Sequence, residues 1–398
     1  MTFGFLSKLR RRSGGNSGPE YPGDVRVPVE TLATFGWVPR ASTFRRRSGR
    51  FRAQVALRGG AGLRGPLAGR DWDFAAQLGC PEQAWVADVV DAHAAGARAS
   101  ERIFRAMLVG ANKGYGLARL LKLLTPELGV TPATWGASLR QRGAALACGW
   151  CRDCLADADD DAVVAQHPGA CHDDPAAYAA RPPRGLEAHL VEPLSANVAL
   201  LENALRDHGF IKEEGAWRRG AAAVVLHRVA LAEKEGRARF PSLKAGEEVG
   251  EVCEDTTCDA AAFAGRFDGD DAAWEDVDVT TLDALARDDA AFDFVSLDVE
   301  GHDPLVLDGG PATIGNAGLV AFEYHFRGAW AADSLRRRSA KLDASGFDCF
   351  LEGAHGALWR LAGGCFDDAY EVRRWANVIC ARRAEVAWRA ALLRWAAV

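Results

Sequence analysis

Apolar residues in this chain fall into short, nearly continuous runs that alternate with stretches of helical spacing. "IFRAMLV", Ile103 to Val109, reads as a strand buried on both faces. Gly-Ala-Asn-Lys-Gly follows, and Tyr115 to Leu124 repeats apolar residues at helical spacing, so the three pieces form the first half of a βαβ unit. "EAHLVEP" predicts a second strand ending in Glu192, and "SANVALLENALRDHG" a helix with Ser195 as N-cap and Gly209 as its stop. "AAAVVLHRVAL" continues as a strand and "EKEGRARF" as a hairpin. "VDVTTLDALARDD" predicts a short strand and a helix, "FDFVSLDVEG" a strand, "DPLVLDGG" a short helix, and "AGLVAFEYH" a further strand. "SLRRRSAKLDASGF" predicts a helix closed by glycine, while "CFLEGAHGALWRL" and "RWANVICARR" predict a terminal antiparallel pair. Such alternation defines an α/β sheet, mostly parallel.

The pattern breaks in two places. Residues 1–70 are rich in Gly, Arg, Ser and Pro and carry fourteen Lys/Arg against three Asp/Glu, which predicts a basic flexible region ahead of one domain over 71–398. Residues 125–185 hold "CGWCRDC", "DADDDA" and "RPPRG", and a loop of that length inside a domain predicts an insertion. Helices are expected at both flanks of the domain. "PEQAWVADVVDAHAAGA" places Trp85, Val86, Val89, Val90 and His93 on one side, and "EVAWRAALLRWAAV" places Trp388, Leu392 and Trp395 on one side to pack against the domain.

Composition narrows the class. The 398 residues are 48% hydrophobic and 26% charged, ordinary globular usage, and a net charge of −6 argues against a general nucleic-acid binder. No apolar run is long enough to cross a bilayer. "MTFGFLSKLRRRSGG" has too short an apolar segment for a secretory signal; its Arg/Ser-rich character partly resembles a transit peptide, and a basic tail is the simpler reading. Ten cysteines leave the compartment open, with a soluble cytoplasmic protein favoured over a secretory lumen or an organelle. Cys148, Cys151, Cys154 and Cys171, beside His172, could bind zinc or form two disulfides, and Cys253 and Cys258 are separated by four residues. Oligomeric state is not legible.

Chemistry gathers at strand ends, where open α/β sheets bind ligands. Gly110 and Gly114 allow a tight turn at a helix N-terminus, or a simple strand-to-helix link. A carboxylate at Glu192 suits a ribose diol, although 82 positions separate it from Gly110 where a dinucleotide fingerprint has roughly 20. The turn is not G-x-G-x-x-G, which argues against a nicotinamide oxidoreductase. "SLDVEGHD" ends a buried strand with Asp298, Glu300, His302 and Asp303, an arrangement costly to bury unpaired. With Glu323 and His325, Asp298 and Glu300 make a divalent metal a rival explanation; for His325 a hydrogen-bonded structural histidine is the safer reading.

"VGANKGYG", "HLVEPLSANVALLENAL", "VTTLDAL" and "FDFVSLDVEGHDPLVLDGG", in this order, resemble the FkbM family of S-adenosylmethionine-dependent methyltransferases. The likeness covers about residues 100–124 and 186–382, and the C-terminal part resembles the extended form found in eukaryotic microbes. It implies a class I methyltransferase (Rossmann-like) fold, a seven-stranded, mostly parallel sheet with helices on both faces and one antiparallel strand near the end. It implies O-methylation of a glycan or small-molecule hydroxyl, with S-adenosyl-L-methionine as cofactor; no residue is assigned to a metal. Carried over, Gly110, Ala111, Asn112 and Gly114 would cradle the cofactor's methionine part, Glu192 its ribose, and Ala230 and Leu231 its adenine. Asp298, Glu300 and His302 would face the transferring methyl. Two positions depart from the family pattern: Leu108 stands where an acid is usual, and Ser296 where a lysine is common. Leu108 raises the alternative of a catalytically degenerate cofactor-binding protein on the same fold.

Overall fold

The computed structural model describes residues 85–95, 103–144, 185–241, 245–246, 274–287, 291–325, 327–352, 358–362, 364–366, 370–371 and 376–397, with short strands inside 37–57. The cysteine cluster at 148–171 and the pair Cys253 and Cys258 lie outside the described residues. Two units emerge: Met1–Thr2, His93–Glu323 and Arg327–Ala332 form one, and Phe3–Ala92, Tyr324–Phe326 and Asp333–Val398 the other. Within 37–57, where little regular structure is expected, Trp37–Pro39 pairs with Val55–Leu57 and Arg45–Arg47 with Arg50–Arg52. Helix α1 (Trp85–Ala95) then buries Trp85, Val89 and Val90.

The first unit is built on β1 (Phe104–Val109), whose near-continuous apolar side chains are buried on both faces as in a central parallel strand. It leads through the glycine turn into α2 (Tyr115–Leu124). The expected insertion begins with ordered packing: α3 (Pro132–Gln141), started by a Thr131–Thr134 capping box, buries Trp135 completely. β2 (Leu186–Val191) and α4 (Ser195–Asp207) follow. The N-cap of α4 is Leu194 rather than Ser195, because the Ser195 N–H and hydroxyl both turn to the Glu275 carboxylate. A hairpin not among the expected elements comes next, β3 (Ile211–Glu213) and β4 (Ala216–Arg219). Its turn residues Glu214 and Gly215 have φ of 48° and 84°, the positive values a two-residue type I′ turn requires.

β5 (Ala222–His227) returns to the sheet, but Ala230 and Leu231 belong elsewhere. They form β6, which pairs in parallel with β8 (Trp274–Thr280), and β7 (Gly236–Pro241) pairs antiparallel with the same strand. The expected local hairpin at "EKEGRARF" is thus replaced by a long-range, three-stranded sheet. After α5 (Leu282–Leu285) come β9 (Phe294–Leu297), α6 (Asp303–Asp308), α7 (Pro311–Asn316) and β10 (Leu319–Tyr324). In the first unit the order is β10-β9-β1-β2-β5-β4-β3, with the first five parallel. The chain builds outward from β1 to β2 and β5, then crosses to the other side for β9 and β10. The order therefore reverses between β1 and β9, and a crevice is expected beyond their carboxyl ends.

The second unit contains α8 (Leu335–Ala344), β11 (Phe347–Glu352), β12 (Leu358–Arg360), β13 (Ala376–Arg382), α9 (Val386–Leu393) and β14 (Ala396–Ala397). Its order is β14-β12-β11-β13, with β11 antiparallel to both neighbours, in line with the expected terminal pair. Cys349 and Cys380 face each other across β11 and β13 and are joined by a disulfide. Buried Asp348 accepts from Arg360 and Arg389, so its charge is compensated. Trp388 and Leu392 are buried, and the Trp395 indole donates to Asp88 at 2.9 Å, so the final helix packs as its apolar stripe predicts. The expected count of seven strands for the sheet is not confirmed. The architecture remains a mixed α/β sheet consistent with a methyltransferase fold.

Candidate functional site

The turn after β1 is fixed by close approach. Gly110 has φ +80°, and a Cβ there would lie 1.8 Å from the Asp298 carbonyl oxygen, so only glycine lets the ends of β1 and β9 meet. The Asp298 N–H donates to Val109 at 3.0 Å on that same seam. The N–H groups of Gly110 and Ala111 both donate to the Val191 carbonyl, at 2.9 and 3.0 Å, which ties the turn to the end of β2. At Gly114, φ +79°, a Cβ would meet Leu201 at 2.6 Å and Trp135 at 3.0 Å. Asn112 between them has φ 41°, and its Oδ1 is buried with no hydrogen-bond partner among the described residues.

Glu192 sits one residue past β2 and is buried. Its Oε2 accepts the Asn112 N–H at 2.8 Å, and its Oε1 accepts the Leu194 N–H at 3.0 Å and the Asn197 amide at 3.2 Å. Burial pushes its carboxyl above the ordinary range, those three donors pull it back down, and the Glu275 carboxylate pushes it up again. The carboxylate thus brackets the glycine turn to the start of α4.

The third strand end carries "DVEGHD". Asp298 is exposed, His302 is the buried N-cap of α6, and Glu300 has φ 54°. Among the described residues, Asn112, Glu214 and Glu300 have positive φ without being glycine, and two of these three border the same cavity. Backbone strain of this kind gathers at ligand sites, where the surroundings hold it in place. Behind the turn, Asp303 is fully buried and its Oδ1 accepts the Glu323 N–H at 3.1 Å.

Burial, then the neighbouring Asp298 charge, push the Asp303 carboxyl from 3.8 up to about 8 against three backbone donors. The folded protein then keeps a proton that the unfolded chain has lost, so this group makes stability fall as pH rises from about 4 to about 8. Asp303→Asn, which mimics the protonated acid, should flatten that slope. Denaturant midpoints measured at pH 5, 6, 7 and 8 for both proteins would check it.

A cavity of about 280 Å³ opens where the three strand ends meet, near the lower end of the range for small-molecule sites, roughly 300–1,000 Å³. Gly110, Ala111, Asn112, Gly114, Glu192, Ala230, Leu231, Asp298, Glu300 and His302 all line it, so the structure brings together every site residue expected from the sequence. Leu108 and Ser296, the two departures from the family pattern, line it as well. The sequence reading missed Lys113, Asn197 and Phe240. Asn197 left a signal, a polar residue on the buried side of an amphipathic helix. Phe240 left none, since it reaches the cavity only through the pairing of β7 with β8. Among the described residues no group of three or more His, Cys, Asp or Glu is arranged to hold a metal ion. His325 is buried.

A lined crevice at the switch point of a mixed α/β sheet is where open sheets of this kind bind ligands, and which ligand is set by the site rather than by the fold. Residues 163–347 match the family model of the methyltransferase FkbM domain, so over this stretch the chain is similar to that family, and the match supports a methyltransferase. The stretch takes in β2 through α8 and carries Glu192 and the "DVEG" turn; the glycine turn precedes it and joins the same cavity through space. No curated protein and no solved structure matches the chain.

Proposed function

We propose that the protein is an S-adenosylmethionine-dependent O-methyltransferase acting on a hydroxyl of a glycan or small molecule, within a domain spanning residues 71–398. The observation that carries this reading is the convergence of Gly110, Glu192 and Asp298 on one cavity at the reversal of strand order. The residues present fit the cofactor. The glycine cradle admits no Cβ, and the Asn112 Oδ1, without a partner among the described residues, is an acceptor suited to an ammonium group, which offsets the acid missing at Leu108. Ala230, Leu231 and Phe240 supply apolar surface for a purine. A carboxylate has about four acceptor sites, so Glu192, with three in use, retains one for a ribose hydroxyl rather than two for both.

S-adenosylmethionine, when bound, supplies an electrophilic methyl group on a sulfonium. In-line transfer depends on positioning, and a hydroxyl acceptor must lose its proton. In this reading exposed Asp298 takes that proton or His302 does, and Glu300, with its positive φ, orients the acceptor; that all three line the cavity supports it. A second reading, a binding protein without turnover, is favoured by apolar Leu108 lining the cavity. Isothermal titration with S-adenosylmethionine, followed by detection of S-adenosylhomocysteine across an acceptor panel, tests both. Binding with turnover is expected; binding without turnover would favour the second reading, and no binding at millimolar cofactor would remove both. No described helix is long and apolar enough to cross a membrane. The Cys349–Cys380 disulfide favours an oxidising compartment over the reduced cytoplasm.

A further inference from the structure

Two of the three donors to Glu192 are backbone N–H groups fixed by the fold, and the third is the Asn197 side chain. Asn197 lies in the first turn of α4, is buried, and lines the cavity. Its amide has a defined orientation, because Oδ1 accepts the Gly246 N–H at 2.8 Å and Nδ2 is thereby left to face Glu192 Oε1 at 3.2 Å. Gly246 is gripped from the other side as well: its carbonyl accepts from the ammonium of Lys113, which is also buried and cavity-lining, at 3.1 Å. The Lys113 carbonyl in turn accepts the Trp135 indole N–H at 2.7 Å. A continuous chain of hydrogen bonds therefore runs from Trp135 through Lys113, Gly246 and Asn197 to Glu192. No motif in the sequence predicts it, and the glycine turn supplies only one of its members.

We propose that Asn197 is a positioning residue for the ribose-binding carboxylate: it holds Glu192 as an acceptor facing the ligand, and Lys113, acting through Gly246, braces Asn197 in that orientation. This inference rests on the reading of the cavity as a nucleoside site. Nδ2 is a donor, and a donor bonds more strongly to an ionised carboxylate than to a protonated carboxyl. Asn197 thus opposes the tendency of burial to keep a proton on Glu192, and leaves the one remaining acceptor site for a hydroxyl of the ligand. Without Asn197, Glu192 would take up a proton at a higher pH, and its Oε1 would be held by the Leu194 N–H alone.

The test is the pH dependence of nucleoside affinity. S-adenosylmethionine and S-adenosylhomocysteine are titrated calorimetrically from pH 5 to 8 into the full-length wild type, Asn197→Leu and Lys113→Met. Asn197→Leu is expected to bind about 10- to 100-fold more weakly at neutral pH, as for loss of a hydrogen bond to a charged group. Its acid fall-off should begin at a higher pH than in the wild type. Lys113→Met, which leaves the direct contact intact, should move the fall-off the same way by a smaller amount, and it carries the test if Asn197→Leu does not fold. A loss of equal factor at every pH, or an unchanged fall-off in Lys113→Met, would overturn the proposal and leave the nucleoside site standing. Wild type that binds neither nucleoside would overturn the nucleoside reading itself, and the proposal with it.

Discussion

Gly110→Ala is expected to disrupt the crevice more than any other single methyl addition. The new Cβ would sit 1.8 Å from the Asp298 carbonyl oxygen, and the obstacle is backbone, not a side chain that can swing away. Relief requires β1 and β9 to separate where the Asp298 N–H donates to Val109. That loosens the strand end carrying the expected general base. Left-handed backbone adds about 1–2 kcal/mol for a non-glycine residue, and overpacking typically about 1–3 kcal/mol, so a loss of about 2–5 kcal/mol in unfolding free energy is expected. Gly129→Ala is the matched control. Its φ is +66° with nothing within 4 Å of the added carbon, so it isolates the backbone contribution. Denaturant unfolding of the two variants should separate them clearly, and cofactor titration should show binding lost only in Gly110→Ala. Equal destabilisation would mean the β1–β9 seam yields easily.

Asp298→Asn should act on turnover instead. The side chain is exposed at the cavity and reads as the proton acceptor for the substrate hydroxyl. Asparagine preserves shape but cannot take the proton, and general bases contribute about 10²- to 10⁴-fold. The rate of S-adenosylhomocysteine formation should fall by that order while calorimetric affinity for S-adenosylmethionine stays within a few-fold. A neutral residue at 298 also removes the charge that helps push up the Asp303 carboxyl, so the pH dependence of stability should soften in the same variant. Retained turnover would shift the base assignment to His302.

β1, β2 and β10 were legible because they are buried on both faces, and burial of that kind forces largely apolar runs. The strand tips were legible for the opposite reason: Asp298, Glu300 and His302 have no place in a core. Long-range pairing was not legible. β6 and β7 look like continuations of their neighbours until β8, more than thirty residues further on, draws both into a separate sheet. The Ser195 cap failed because Glu275, eighty positions away in the chain, competes for the same hydroxyl and N–H. The likeness to a seven-stranded fold did not anticipate the β3–β4 hairpin, although Glu214-Gly215 between short alternating runs was its local mark.

Val191 accepts from the glycine turn at one end of β2, while at the other end the Gly185 carbonyl accepts the Phe104 N–H at 2.9 Å. β2 is thus entered at Gly185, at the end of the strand opposite the crevice. Loop-closure entropy grows only logarithmically, by about 0.6 kcal/mol per doubling of length. Six in-register residue pairs of the β1–β2 ladder, rather than closeness along the chain, therefore keep Gly110 beside Glu192.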